Sequence, residues 1–351
     1  MTKFGDVVDC TKEELPYIAD KAKLGSKTSY LQNGDVIIAD TAEDDTVGKA
    51  TEIFNIQTPV VSGLHTMACR PRLNFKSCFL GYYINSDCYH NQLYPFMQGV
   101  KVTSISKGNI ALTNIRYPAN KEQQKIASMI ALLDDRIKKQ QQLIDSLKLY
   151  KRGAFLELDR KSQKSKYTFS DIYETASEGG TPSTSIAEYY EKGDIPFIKI
   201  DDLSGRYVTT AKNFITQRGL EKSSAWLIPA NSLIFSNGAT IGACSINKIP
   251  IATKQGILGI VPKDNISVSF LYYYMTSSIF MKKIKAITTK GTMDCAYLRD
   301  INTIHIELPD FNTQIQIAEI LDTLSSHVEK QEGILSNLLK SKQALLQQMF
   351  I

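Results

Sequence analysis

Apolar residues recur at alternating steps of four and three in two places, at Ile126, Ile130, Leu133, Ile137, Ile144 and Leu147, and again at Ile317, Leu321, Leu324, Val328, Leu335 and Leu338. This is heptad spacing, which keeps one stripe of a helix turned toward a partner helix. Both series lie in one longer match: residues 118–158 align with residues 309–349 without a gap, at a constant offset of 191. Each predicted helix has ~38 residues and runs roughly 57 Å at 1.5 Å per residue, longer than globular helices usually are and suited to a spacer. Polar residues interrupt the stripe at matched positions, Gln140 with Gln331 and Lys151 with Lys342. An apolar residue packs better there, so these positions predict control of register and partner choice at a cost in stability. The alternative is that ordinary amphipathic helices tolerate them near exposed ends.

The repeat continues upstream in weaker form. Phe79-Leu80-Gly81-Tyr82-Tyr83 answers Phe270-Leu271-Tyr272-Tyr273-Tyr274 at the same offset. Further back, Asn33-Gly34-Asp35-Val36-Ile37-Ile38 answers Ala230-Asn231-Ser232-Leu233-Ile234-Phe235, and Val47-Gly48-Lys49-Ala50 answers Ile241-Gly242-Ala243-Cys244. These segments are rich in Val, Ile and aromatics, punctuated by Gly, Asn and Asp, and predict short strands. The expected organisation is α/β (α+β): a globule over 1–117, a helix over 118–158, a linker over 159–166, a second globule over 167–308 and a second helix over 309–351. The linker is read from the polar basic run Arg160-Lys161-Ser162-Gln163-Lys164-Ser165-Lys166. The globules are unequal, with about 60 residues between Phe169 and Asn231 but only about 30 before Gly34. The first is expected to be shortened at its front.

Composition fits this picture and narrows it. A chain of 351 residues exceeds what one core usually organises, which favours two domains. The net charge of +5 permits a polyanionic partner without demanding one. The six cysteines form no C-x-x-C pair, and no His is spaced to complete a zinc site, so reduced and mostly buried thiols are expected. No apolar run approaches the ~18 residues of a membrane span, and the N-terminus lacks a basic-then-apolar leader; a soluble, cytoplasmic protein without membrane partners is expected.

Catalytic signatures are missing. There is neither a methyltransferase Asn/Asp-Pro-Pro-aromatic loop nor a glycine-rich fingerprint between a strand and a helix. Gly25-Ser26-Lys27-Thr28 lacks the phosphate-loop spacing and reads as a turn. His65, His90, His305 and His327 form no metal or triad spacing. The acidic group Asp40, Glu43, Asp44 and Asp45 leaves three readings open: a solvated loop, a divalent-ion site, or carboxylates that accept from a cytosine amino group. No catalytic residue, metal site or cofactor is assigned.

Polar loops are the remaining chemistry. The second half carries Gly179-Gly180-Thr181-Pro182-Ser183, Lys199, Asn237-Gly238-Ala239-Thr240, Thr253-Lys254-Gln255-Gly256 and Thr289-Lys290-Gly291-Thr292. In the first half the comparable residues are Lys49, His65, Arg70, Lys101, Ser106 and Lys107. Lys, Arg, Asn, Gln and Thr can contact phosphates or base edges, and the glycines supply turns or close backbone approach. Each loop alone reads as a turn; their recurrence in both halves points to DNA. A coiled-coil scaffold that does not read DNA is the competing class, and a free-standing nuclease or methyltransferase a third.

SEGGTPSTSIAEYYEKGDIPFIKIDDL (177–203), ATIGACSIN (239–247), ATKQG (252–256) and ELPDFNTQIQIAEILDTL (307–324) closely resemble type I restriction-modification specificity subunits. In the first half, GDVIIADTAEDDTVGKA (34–50) and VVSGLHTMACRP (60–71) are similar to a different class of recognition domain in the same family. The resemblance implies two target-recognition domains, each gripping one half of a split site on double-stranded DNA, with the two helices packed antiparallel as a ruler. It also implies that modification subunits dock on the helices and bring methyl transfer with S-adenosylmethionine, that restriction subunits bring ATP-driven translocation and cleavage, and that this subunit is not catalytic. One departure stands out: no counterpart of residues 179–200 is visible before Gly34. Either the chain begins inside a domain or its first domain belongs to a shorter class.

Overall fold

The computed structural model describes residues 5–19, 24, 29–42, 46–99, 102–238, 240–289 and 294–350. The chain divides into two compact units. The first is Met1–Ile144 with Gln331–Ile351, and the second is Asp145–Lys330. The division falls within both long helices, Asn120–Lys161 and Phe311–Met349, so each unit holds one globule and a part of each helix.

In the first unit, described residues build a four-stranded sheet in the order Val7–Asp9, Ala50–Phe54, Val36–Ala39, Thr66–Cys69. The outer pair Val7–Asp9 and Ala50–Phe54 is parallel and the other pairings are antiparallel. Val36 and Ile38 point into the core, where the helix Phe79–Ile84 is buried at every residue. That helix approaches the sheet so closely that a Cβ on Gly81 would lie 2.3 Å from Asp6 O; only glycine fits. Its N-terminus is held by Glu52, a buried carboxylate that accepts from Cys78 N–H (2.6 Å) and Gly81 N–H (3.0 Å). Burial raises the pKa of Glu52, and these hydrogen bonds oppose it.

The second unit repeats this plan. Its sheet runs Tyr207–Val208, Cys244–Asn247, Leu233–Ser236, Ile257–Pro262, Tyr173–Glu178. Tyr207–Val208 is again parallel to its neighbour and the next two pairings are again antiparallel. The fifth strand, Tyr173–Glu178, pairs antiparallel with Ile257–Pro262; among the described residues Thr66–Cys69, the matching strand of the first unit, has no such outer neighbour. A further sheet, Asn213–Ile215, Ile195–Ile198, Ala252–Thr253, lies within the second unit.

The heptad stripe is buried or half-buried at each of its twelve apolar positions and at the four polar interruptions. Within the first unit the helices run antiparallel, with Asp134 against Lys342 and Gln140 against Gln331. Lys342 also pairs with Asp6 at 2.7 Å, and Tyr82 Oη donates to Asp134 at 3.0 Å. The second unit uses the residues displaced by 191: Lys151 Nζ donates to Ser325 Oγ at 3.2 Å, and Tyr273 Oη lies 2.9 Å from the same hydroxyl. Helix entry is duplicated too. Gln123 bonds Lys76 N–H and Pro118 O, while Gln314 bonds Ser267 N–H and Pro309 O.

Residues 159–166 differ from the expected linker. The helix continues through Lys161, and a strand starts at Lys164 and pairs with His305–Pro309. Buried Asp159 draws Lys164 into an ion pair at 2.5 Å, so part of the basic run is consumed in structure. All six cysteines are free; Cys244 is buried and the others are half-buried, a more open set than the sequence led us to expect. No helix among the described residues is long and apolar enough to cross a membrane.

Candidate nucleic-acid interface

Strand direction decides which loops share one end of the second sheet. Leu233–Ser236 delivers Asn237, Gly238 and exposed Thr240 there, while Ile257–Pro262 starts from exposed Lys254 and Gln255. The loop after Tyr173–Glu178 joins them, because Gly179 N–H donates to Ile257 O (2.8 Å) and Gly180 N–H to Thr253 O (3.0 Å). A Cβ on Gly179 would sit 2.2 Å from Thr253 O, and one on Gly180 2.4 Å from Ala225 N. The two glycines therefore let the backbone close down and leave Thr181 and Ser183 exposed beyond it. Lys254 N–H donates to Ile198 O, which places exposed Lys199 beside Lys254. Thr181, Lys199, Thr240, Lys254 and Gln255 thus gather at one end, on loops tied to the sheet by backbone hydrogen bonds.

The first unit builds the same end. Asp40 N–H donates to His65 O at 3.1 Å and its carbonyl accepts from Ile105 N–H at 2.9 Å. Asn237 makes the corresponding bonds, to Gly256 O at 3.1 Å and from Ala296 N–H at 2.9 Å. His65 (φ 57°) and Gly256 (φ 85°) share the left-handed backbone that starts the following strand. Gly48 (φ 81°) and Gly242 (φ 103°) are matched as well, donating to Ala39 O and Ser236 O. In Asp40 and in Asn237 the side-chain Oδ1 is buried without a hydrogen-bond partner among the described residues. Lys49 and His65 are exposed at this end.

Three of the candidate residues take other roles. Asn237 is fully buried; its Nδ2 donates to Glu178 Oε1 and to Ala296 O, so it braces neighbouring loops and does not face a ligand. Arg70 follows Thr66–Cys69 and lies at the opposite end of its sheet from His65. Its guanidinium is held by Asp35 through two 2.8 Å hydrogen bonds and donates to Tyr30 O at 3.1 Å. Burial works against the Asp35 charge, but Arg70 and the Gln32 N–H outweigh it and lower the carboxyl pKa. Gly180 is buried and serves close packing. Lys107 is exposed and begins a short helix capped by Ser106, whose Oγ accepts from Asn109 N–H. Lys101, Lys290 and Thr292 lie outside the described residues, as do Gly25-Ser26-Lys27-Thr28 and Glu43, Asp44 and Asp45.

The brace Glu178 and the helix-clasping residues Tyr82, Tyr273, Asp134 and Ser325 escaped sequence reasoning. The signal for the clasp was present in the 191-residue match of the aromatic segments. Among the described residues no group of His, Cys, Asp and Glu is arranged to hold a metal ion.

The type I restriction modification DNA specificity domain model matches residues 8–149 and again 161–340. The MjaIX specificity subunit of Methanocaldococcus jannaschii is 32% identical over 174 residues, 48% of this chain and 40% of that protein. The EcoR124I/EcoR124II specificity subunit of Escherichia coli is 31% identical over 150 residues, 41% of this chain and 37% of that protein. The chain therefore spans well under two thirds of the length of these relatives. The putative MjaX specificity subunit of M. jannaschii is 20% identical over 361 residues, 97% of this chain and 82% of that protein. Among solved structures, one from work on complex assembly and conformational transition of the type I R-M system superposes with a TM-score of 0.61 at 18% identity, covering 93% of this chain and 84% of that one. The type I restriction-modification S subunit from M. genitalium gives 0.53 at 15% identity, with 93% and 84% covered. With both halves matched by one family model on a duplicated fold, the chain belongs to the type I restriction modification DNA specificity domain family.

Proposed function

We propose that this chain is a non-catalytic specificity subunit that reads a bipartite site on double-stranded DNA, one half with each globule. The observation that carries this reading is the sheet end built twice, with Asp40 and Asn237 in the same backbone hydrogen bonds and exposed polar side chains around each. Rigid strands fix those side chains, as sequence readout requires. Lys49 and His65 in the first unit, and Thr181, Ser183, Lys199, Thr240, Lys254 and Gln255 in the second, are the proposed contacts. Lys101, Lys107, Lys290 and Thr292 remain proposed on their sequence positions. The target-recognition domains are proposed over 1–117 and 167–308.

The paired helices are proposed to set the separation of the half-sites and to dock modification subunits, which supply methyl transfer; restriction subunits join that complex. The seam residues Ile130, Leu133, Ile137, Gln140, Ile144 and Leu147, with Leu321, Leu324, Val328, Gln331, Leu335 and Leu338, hold the pair together. Ile137→Glu with Val328→Glu places charges in the seam and is expected to abolish capture of the modification subunit; retained capture contradicts the docking role.

One observation favours a second reading, in which the second globule alone reads sequence: the outer strand Tyr173–Glu178 has no counterpart among the described residues of the first sheet. Footprinting of the complex with modification subunits separates the two. Protection of two half-sites supports the first reading, and protection of one supports the second.

A further inference from the structure

The helix Ser278–Ile287 in the second unit is amphipathic in an informative way. Phe280 and Ile284 are buried, whereas Ser278, Lys282 and Lys285 form an exposed stripe at steps of four and three. One end of the stripe reaches the proposed reading end of the sheet. Met281 packs against Gly242, the loop beyond the helix pairs Thr289 with Cys295, and Ala296 N–H donates to Asn237 O. At the other end Ser278 lines a cleft of about 410 Å³ together with Arg152, an exposed cation on the long helix, and Met281 lies between the two ends. Arg152, Lys282 and Lys285 therefore make a basic strip running from the long helix to the reading end.

These three cations form no ion pair among the described residues. They differ in this from Arg160 and Lys161, which pair with Glu157, and from Arg218, which pairs with Glu188, and resemble exposed Lys199 and Lys254 at the proposed reading end. A strip of uncompensated cations beside base-reading loops is what a duplex backbone requires, because phosphate contacts fix register while loops read bases.

We propose that Arg152, Lys282 and Lys285 are phosphate-backbone contacts that hold the duplex against the second globule. The proposal rests on the DNA-reading function above and adds the path of the backbone along this unit. The test uses the full chain with its modification subunit, titrated against a duplex of mixed sequence over a range of salt concentrations. Replacing all three with Gln is expected to lower the slope of log affinity against log salt by about three, roughly one per residue, with the ratio of specific to non-specific binding unchanged. Lys282→Arg with Lys285→Arg keeps the charge and should keep the slope. An unchanged slope in the Gln variant, with the parent complex binding normally, overturns the proposal and leaves the DNA-reading function standing. An unchanged slope with lost capture of the modification subunit assigns the strip to a protein contact instead. A parent complex that binds no duplex overturns both readings.

Discussion

Gln140 donates through Nε2 to the side-chain oxygen of Gln331 at 2.8 Å and to its main-chain oxygen at 3.0 Å, and the two residues are each other's counterpart under the 191-residue repeat. A position that maps onto its own partner suits a reciprocal amide pair, which fixes register in one step. Gln140→Leu alone leaves the Gln331 amide without its partner and should cost about 1 kcal/mol in thermal unfolding, whereas Gln140→Leu with Gln331→Leu should recover that loss. A single variant as stable as the parent would show that the pair contributes nothing to stability.

Proposed readers and buried braces should separate in experiment. Lys254→Ala with Gln255→Ala changes side chains that only face outward, so melting should hold while affinity through the second half-site falls and the first half-site is unaffected. Asn237→Ala removes hydrogen bonds to Glu178 and Ala296, and should lower stability by about 2 kcal/mol as well as weaken the second half-site. Melting curves and half-site competition distinguish them; equal loss at both half-sites would contradict the assignment of Lys254 and Gln255.

Arg70 is predicted to matter through Asp35. Arg70→Met leaves a buried carboxylate without its guanidinium and should lower the melting temperature, modestly because Arg70 itself is half exposed to solvent. Binding per folded molecule should be unaffected. Normal melting with weakened binding would restore Arg70 as a DNA contact.

The first unit should also respond to mild acid. Burial lowers the pKa of His90; Lys49 acts in the same direction, and the contacts with Val47 O and Asp87 oppose it. A base with a lowered native pKa contributes stability that is present above its unfolded value of about 6.5 and lost as pH falls through the native value. Thermal melts at about pH 7.5 and about pH 5.5 should show a larger acid loss in the parent than in His90→Gln. Identical losses would mean that His90 does not titrate in this window.

The long helices and the duplication were legible because a 191-residue offset aligns whole heptads, and heptads report burial directly. Gln140, Gln331, Lys151 and Lys342 stood out because they violate the stripe, and each has a defined partner or pairing environment in the fold. The site was less legible. Asn237 and Arg70 have side chains that suit DNA equally well from sequence, and only the tertiary course of the chain buries one and pairs the other. Glu178 and the Arg152–Lys282–Lys285 strip were hidden because their meaning depends on neighbours distant in sequence. The expected linker failed for a related reason: the charge of Lys164 is taken up by Asp159, which the composition of residues 159–166 cannot reveal.

The most direct test of the central claim is to co-express the chain with a modification subunit, its proposed partner, and map methylated bases across the host genome. A split motif with two defined halves is expected, and Lys254→Ala with Gln255→Ala should degrade only one of them. Methylation that is absent despite a stable complex would contradict the claim.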